Sequence, residues 1–190
     1  MKNGFKSVLI TLSVVAFTVL PVKAQEYSAP QYSSIDGFVP IVGRKGMVSV
    51  RETISAKVGA EILKKGGNAI DAAAAVGFAM AVTYPQAGNI GGGGFMIVHV
   101  AKENKTVAID YREMSAGAAR HDLYVRDGKV DQKLAKYSRQ SSGVPGTVAG
   151  MWLAHSKYGK LEWKELLEPA ILLAEEGFPV THDLASNLKR

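Results

Sequence analysis

Cysteine is absent from these 190 residues. That excludes disulfides, thiol nucleophiles and thiolate metal sites. The four histidines (His99, His121, His155, His182) are far apart and form no metal-ligand spacing. No Gly-x-Ser-x-Gly run is present to accompany the His121-Asp122 pair, so a serine triad has no support. The charge balance is also short of what a nucleic-acid binder carries. The formal net charge is +6, from 23 basic and 17 acidic residues. Three of the lysines (Lys2, Lys6, Lys23) fall within the first 24 residues. Without them the surplus is +3, ordinary for a soluble protein with interspersed signs.

Those first residues have their own grammar. Lys2 and Lys6 precede an apolar stretch, Val8–Leu20, and Val22-Lys23-Ala24 offers small residues at a cleavage site. Residues 1–24 are therefore expected to be a secretory signal peptide cut before Gln25. The apolar run is too short for the roughly 20 residues of a comfortable membrane span. A periplasmic or secreted protein with no membrane association after signal removal is the expectation. Residues 25–45 mix Tyr, Ser, Pro and Gly and read as a linker-like lead. Residues 46–190 then read as one packed domain portion.

Val82–Met114 organises that portion. Gly88 and Gly91–Gly94 place five glycines in seven positions, a density that signals backbone approaches a Cβ would forbid. Phe95–Ala101 runs apolar and β-branched, as a buried strand does, and Glu103-Asn104-Lys105 is a polar turn. Thr106–Tyr111 returns as a partner strand and delivers Arg112 at its exit. A P-loop or dinucleotide fingerprint is excluded because a strand, not a helix, follows the glycines. A close-packed corner that positions the hairpin is the better reading.

Elsewhere, Gly46–Val50 reads as a short first strand. Thr53–Lys65 reads as an amphipathic helix with Ile54, Val58, Ile62 and Leu63 on one face, closed by Gly66-Gly67. Asn68 caps a second helix, Ile70–Val82, with Asp71 three residues on. Its small side chains predict burial, and Pro85 stops it. Ser115–Asp122 is expected to start a short helix. Asp127-Gly128 marks a turn between two small strands. Ser141–Gly146 is a second tight loop opening a helix at Thr147–Tyr158. Trp163–Glu175 is a further helix, with Leu166, Leu167, Ile171 and Leu172 as its packed face and Gly177 closing it. A last helix begins at His182 and carries no terminating signal, so the sequence reads as interrupted.

GNAIDAAAAVGFAMAV, then YPQAGNIGGGGF, DYRE and GVPGTVAGM, in that order, closely resemble the γ-glutamyltranspeptidases (glutathione hydrolases) of the N-terminal-nucleophile superfamily. The resemblance runs from about Gly46 to Arg190. It implies an α+β fold, the four-layer αββα sandwich, of which this chain is an incomplete N-terminal portion. It implies acyl transfer from glutathione or another γ-glutamyl compound to water or an amine, with no cofactor. It also implies a small subunit released by self-cleavage of a longer precursor. The nucleophile is a threonine at that subunit's start, beyond residue 190, so no catalytic residue is assigned here. The 190 residues alone are expected to be inactive and poorly stable.

The resemblance gives Arg112 the role of holding the substrate α-carboxylate. A guanidinium suits this, presenting a planar fork for two parallel charge-assisted hydrogen bonds. By spacing alone, an ion pair of Arg112 with Asp110 or Glu113 is the competing reading. Thr181-His182 looks like part of a Thr-Thr-His nucleophile run but lacks its strand pattern, and Thr181 reads instead as a helix N-cap. Two alternatives stay open: an acylase of the same superfamily acting on a glutaryl or β-lactam side chain, and a catalytically inactive secreted remnant or binding protein.

Overall fold

A computed structural model describes residues 41–189. The expected signal segment and the lead as far as residue 40 lie outside the described residues.

Two antiparallel helices form the base, α1 (Thr53–Lys64) and α2 (Ala69–Thr83). Glu52 caps α1, its carboxylate accepting from the Ile54 and Ser55 N–H groups. The same carboxylate accepts from the Thr83 hydroxyl at 2.8 Å, and Ser55 Oγ lies 3.0 Å from Thr83 Oγ1. One buried acid thus ties the start of α1 to the end of α2. Burial alone would raise the Glu52 carboxyl, but these hydrogen bonds outweigh it and hold the group below its ordinary value. Its stabilisation is therefore complete above the unfolded-state pKa and is lost as pH falls through the depressed folded value. Glu52→Gln is expected to lower stability at neutral pH by about 1–3 kcal/mol. It should also flatten the acid limb of a stability–pH profile, and an unchanged limb would show that the network contributes nothing.

The helix interface uses small residues. Ser55 and Gly59 of α1 are buried, and a Cβ on Gly59 would stand 2.7 Å from Val76 of α2. Gly66, at φ +95°, ends the helix as the sequence predicts. At the α2 start, Asn68 Oδ1 accepts from Ile70 N and Asp71 N, while Asp71 Oδ2 accepts from Asn68 N at 2.8 Å. This reciprocal box confirms the expected cap. Asp71, wholly buried, also accepts from Lys160 N at 3.0 Å. That bond fixes the turn between α4 (Thr147–Tyr158) and α5 (Trp163–Glu176). Around α2, Ile62, Ala72, Ala75, Phe78, Met151 and Leu166 form the main core. Ile62 and Leu166 are fully buried, each worth about 1.5–3 kcal/mol of transfer free energy.

The second layer is the antiparallel hairpin of β1 (Phe95–Val100) and β2 (Lys105–Asp110), in the register Met96↔Ile109, Val98↔Val107. Its inner face sends Val98 and Ile109 onto Ile70 and Ala154. The expectation of a buried strand holds for one face only: Phe95 is 63% and Ile97 77% exposed. The reason is that the described helices cover a single side of the hairpin. Among the described residues β1 pairs only with β2, and it borders a groove of about 790 Å³ lined also by residues 45–50 and by Ala69, Ala72, Ala73 and Gly77.

Three further expectations are corrected. Gly46–Val50 is not a strand, because among the described residues nothing pairs with it. Residues 115–124 form successive turns, with Ala119 N bonded to Ala116 O and Leu123 N to Arg120 O, instead of a helix. The apolar spacing there is too sparse to anchor a helical face. On α5, Ile171 and Leu172 are exposed at 45% and 42%, while Leu166 and Ala170 are buried. The helix meets the core through Trp163, Leu166, Leu167 and Ala170, so Leu166 and Leu167 pack as expected, and Pro169 lies inside the helix.

Asp127 (φ 51°) and Gly128 (φ 71°) do turn between two short strands, β3 (Val125–Arg126) and β4 (Lys129–Val130). The sequence reading missed the helix that follows, α3 (Gln132–Tyr137), capped by Asp131. The last helix is α6 (His182–Leu188), and Thr181 is its N-cap, accepting from Leu184 N.

Candidate functional site

The two tight loops foreseen separately meet around Arg112. Beyond the strands, the hairpin ladder gains one more rung, Tyr111 N to Gly94 O at 3.0 Å and Gly94 N to Tyr111 O at 3.3 Å. Three residues on, Met114 and Val144 exchange two backbone bonds, of 3.3 and 2.7 Å. Gly92 O accepts from Gly146 N at 2.8 Å and from Thr147 N at 3.0 Å. Arg112 and Glu113 are thus held between two main-chain clamps.

Glycine makes this approach possible. A Cβ on Gly93 would lie 2.5 Å from Tyr111 O and 2.7 Å from Glu113 N. One on Gly146 would overlap Tyr111 O, and one on Gly150 would overlap the Tyr111 ring. Tyr111 therefore seats α4 against the hairpin, its hydroxyl reaching the Phe95 carbonyl at 3.4 Å, and partial burial raises its phenol. The expected close-packed corner is present. The part played by Gly146 and Gly150 was not foreseen, although their spacing of four on one helix face was a readable signal.

The Arg112 side chain is 67% exposed. Its Nε donates to Glu113 Oε2 at 2.9 Å, and its backbone N–H donates to Asp110 Oδ1 at 3.0 Å. Both acids named from sequence thus contact it, one through the side chain and one through the main chain. Glu113 is held below the usual carboxylate range, first by its own backbone N–H and then by Arg112 and the Gly93 N–H. It stays ionised at neutral pH and remains a partner for the guanidinium. Among the described residues the terminal guanidinium nitrogens have no protein acceptor. They are free to bind an exogenous carboxylate.

Arg112 borders two concavities. One, of about 320 Å³, is lined by Glu113, Ser115, Tyr124, Ser141 and Ser142 among others. The other, of about 270 Å³, is lined by Tyr111, Val144, Pro145, Ala149 and Leu153 among others. His99 and His155 line neither concavity. His99 bonds Thr106 across the hairpin, and His155 sits beside buried Asp71 with Nε2 2.8 Å from Leu161 O. Among the described residues no three His, Asp or Glu side chains gather as a metal site requires. No described helix is long and apolar enough to cross a membrane.

Residues 55–190 match the family model described as Gamma-glutamyltranspeptidase. The Glutathione hydrolase proenzyme of Escherichia coli (strain K12) is 48% identical over 155 residues, covering 81% of this chain and 27% of that protein. The chain thus spans about a quarter of that relative's length. Among solved structures, the gamma-glutamyltranspeptidase of Helicobacter pylori superposes with a TM-score of 0.75 at 42% identity, covering 79% of this chain and 43% of that one. The enzyme from Pseudomonas nitroreducens, complexed with L-DON, gives 0.72 at 48% identity, covering 78% and 44%.

Proposed function

Because the chain belongs to the gamma-glutamyltranspeptidase family, we propose that it supplies the substrate-anchoring part of an enzyme transferring the γ-glutamyl group of glutathione to water or an amine. The fold is the corresponding portion of an N-terminal-nucleophile αββα sandwich, with one helical and one strand layer present. The observation that carries the functional reading is the free terminal edge of the Arg112 guanidinium, turned to outside ligands by the Nε bond to Glu113. Arg112 takes the α-carboxylate of the γ-glutamyl group as a bidentate pair. It orients the donor and forms no covalent bond.

The covalent steps belong to a threonine beyond residue 190. Its hydroxyl oxygen attacks the γ-carbonyl carbon while its own α-amine accepts the proton. The amide C–N bond breaks, the proton passes to the departing cysteinylglycine amine, and an ester remains. Water or an acceptor amine then attacks that ester and restores the hydroxyl. The threonine is exposed by self-cleavage of a longer precursor. The resulting small subunit supplies the strand that fills the groove beside β1, whose second edge has no partner among the described residues and whose small-residue lining suits a β-strand. The amino-terminal grammar supports secretion or a periplasmic location. The 190-residue chain alone carries no turnover.

Assay of the full precursor with γ-glutamyl and glutaryl anilides tests this reading, since only the first has an α-amino group. The expected result is turnover of the γ-glutamyl compound and none by the 190-residue chain. Equal or better turnover of the glutaryl compound would make the protein an acylase. No turnover after self-cleavage would leave a remnant that only binds.

A further inference from the structure

The segment enclosed by the Met114–Val144 clamp, Ser115–Gly143, has no role in the reading above. It contains six basic residues (Arg120, Arg126, Lys129, Lys133, Lys136, Arg139) and three acidic ones (Asp122, Asp127, Asp131). That surplus of +3 equals the surplus of the whole chain from Gln25 onward. Residues 25–114 and 144–190 together are therefore electrically balanced, and the positive surplus of residues 25–190 resides in one short excursion.

The acids there are partly engaged. Asp131 Oδ1 accepts from Lys133 N at 3.0 Å and from Leu134 N at 2.9 Å, and Asp122 lies 3.4 Å from Arg120. All six basic side chains belong to exposed residues. The excursion also walls the larger Arg112 cleft, through Ser115, Leu123, Tyr124, Gln140 and Ser141. Arg126 Nη1 donates to Val125 O at 2.7 Å and to Leu123 O at 3.4 Å, which sets its charge beside that wall. Tyr124 donates to Gln140 O at 2.9 Å, binding the β3 strand to the turn that carries Arg139.

We infer that Ser115–Gly143 is a cationic rim that concentrates net-negative γ-glutamyl donors at Arg112, making donor charge a determinant of specificity. The inference rests on the substrate reading proposed above. Clustered charge of one sign beside a low-dielectric cleft raises the local concentration of an oppositely charged ligand, and salt removes the effect. Glutathione, with two carboxylates and one ammonium, has a net negative charge at neutral pH. A γ-glutamyl anilide, with one of each, has none. The rim acts on the first and not on the second, whereas Arg112 grips the α-carboxylate common to both.

The test compares kcat/KM for both donors in the self-cleaved full precursor and in its K129Q/K133Q/R139Q variant, none of whose altered residues lines either Arg112 concavity. At about 10 mM ionic strength, where the screening length is about 30 Å, the variant is expected to lose about threefold to tenfold in kcat/KM for glutathione. The anilide should be unaffected, as should kcat for either donor, and high salt should abolish the glutathione difference. The charge-retaining variant K129R/K133R/R139K should match wild type, which separates charge from folding. Equal response of the two donors, or a glutathione difference that survives high salt, overturns the inference alone. Absence of turnover with both donors in the wild type overturns the substrate reading and this inference with it.

Discussion

Arg112→Ala in the self-cleaved full precursor is expected to lower kcat/KM for γ-glutamyl donors by about 30- to 150-fold, corresponding to about 2–3 kcal/mol for a bidentate charge-assisted pair. The estimate lies below the cost of breaking a buried ion pair because the arginine is 67% exposed and water screens what it binds. Arg112→Lys keeps the charge and loses the fork, and lysine cannot reproduce the Nε bond to Glu113 while presenting two donors outward. It should raise KM strongly, with a smaller overall loss than alanine. Steady-state kinetics on the two variants checks both statements. Unchanged parameters in Arg112→Lys would remove Arg112 from the substrate site and leave only its ion pair with Glu113.

Gly93→Ala should do comparable damage without touching substrate. Its new methyl would press on the Tyr111 carbonyl, the Arg112 carbonyl carbon and the Glu113 nitrogen, all of them main chain. A flexible side chain could move aside, but a hydrogen-bonded backbone cannot do so without opening the hairpin mouth. Overpacking of this kind costs about 1–3 kcal/mol. The shift falls on the two residues between the clamps, so the effect should appear as a raised KM as well as a lowered melting temperature. Gly117→Ala is the internal control, since nothing lies within 4 Å of its added methyl. A Gly93→Ala enzyme with wild-type KM and melting temperature would show that the corner has slack.

The elements were legible from local chemistry where one residue type has one explanation. Asn68 with Asp71 three residues on, Asp127-Gly128 between two short strands, and Gly66 and Gly177 at helix ends all stand where their capping and turn preferences put them. What failed depended on partners. Gly46–Val50 has strand composition, yet a strand exists only through a neighbour. Ile171 and Leu172 fit the same helical stripe as Leu166, but Ala170 lies in the core in their place. Arg112 was legible as the residue just beyond the exit of β2. Its bond to Glu113 was one of two acids open to it, and the meeting of residues 92–94 with residues 144–150 is a tertiary fact that no local pattern encodes.

The two clamps also set how this region tolerates sequence drift. Met114 and Val144 hold the corner through their main-chain groups while their side chains are 71% and 52% exposed, so many residues could stand at either position. Gly93, Gly146 and Gly150 are needed for the absence of a side chain, and none of the other nineteen residues can supply that. Random substitution across 92–150 would therefore yield functional survivors varied at the bonded positions and uniform at the empty ones.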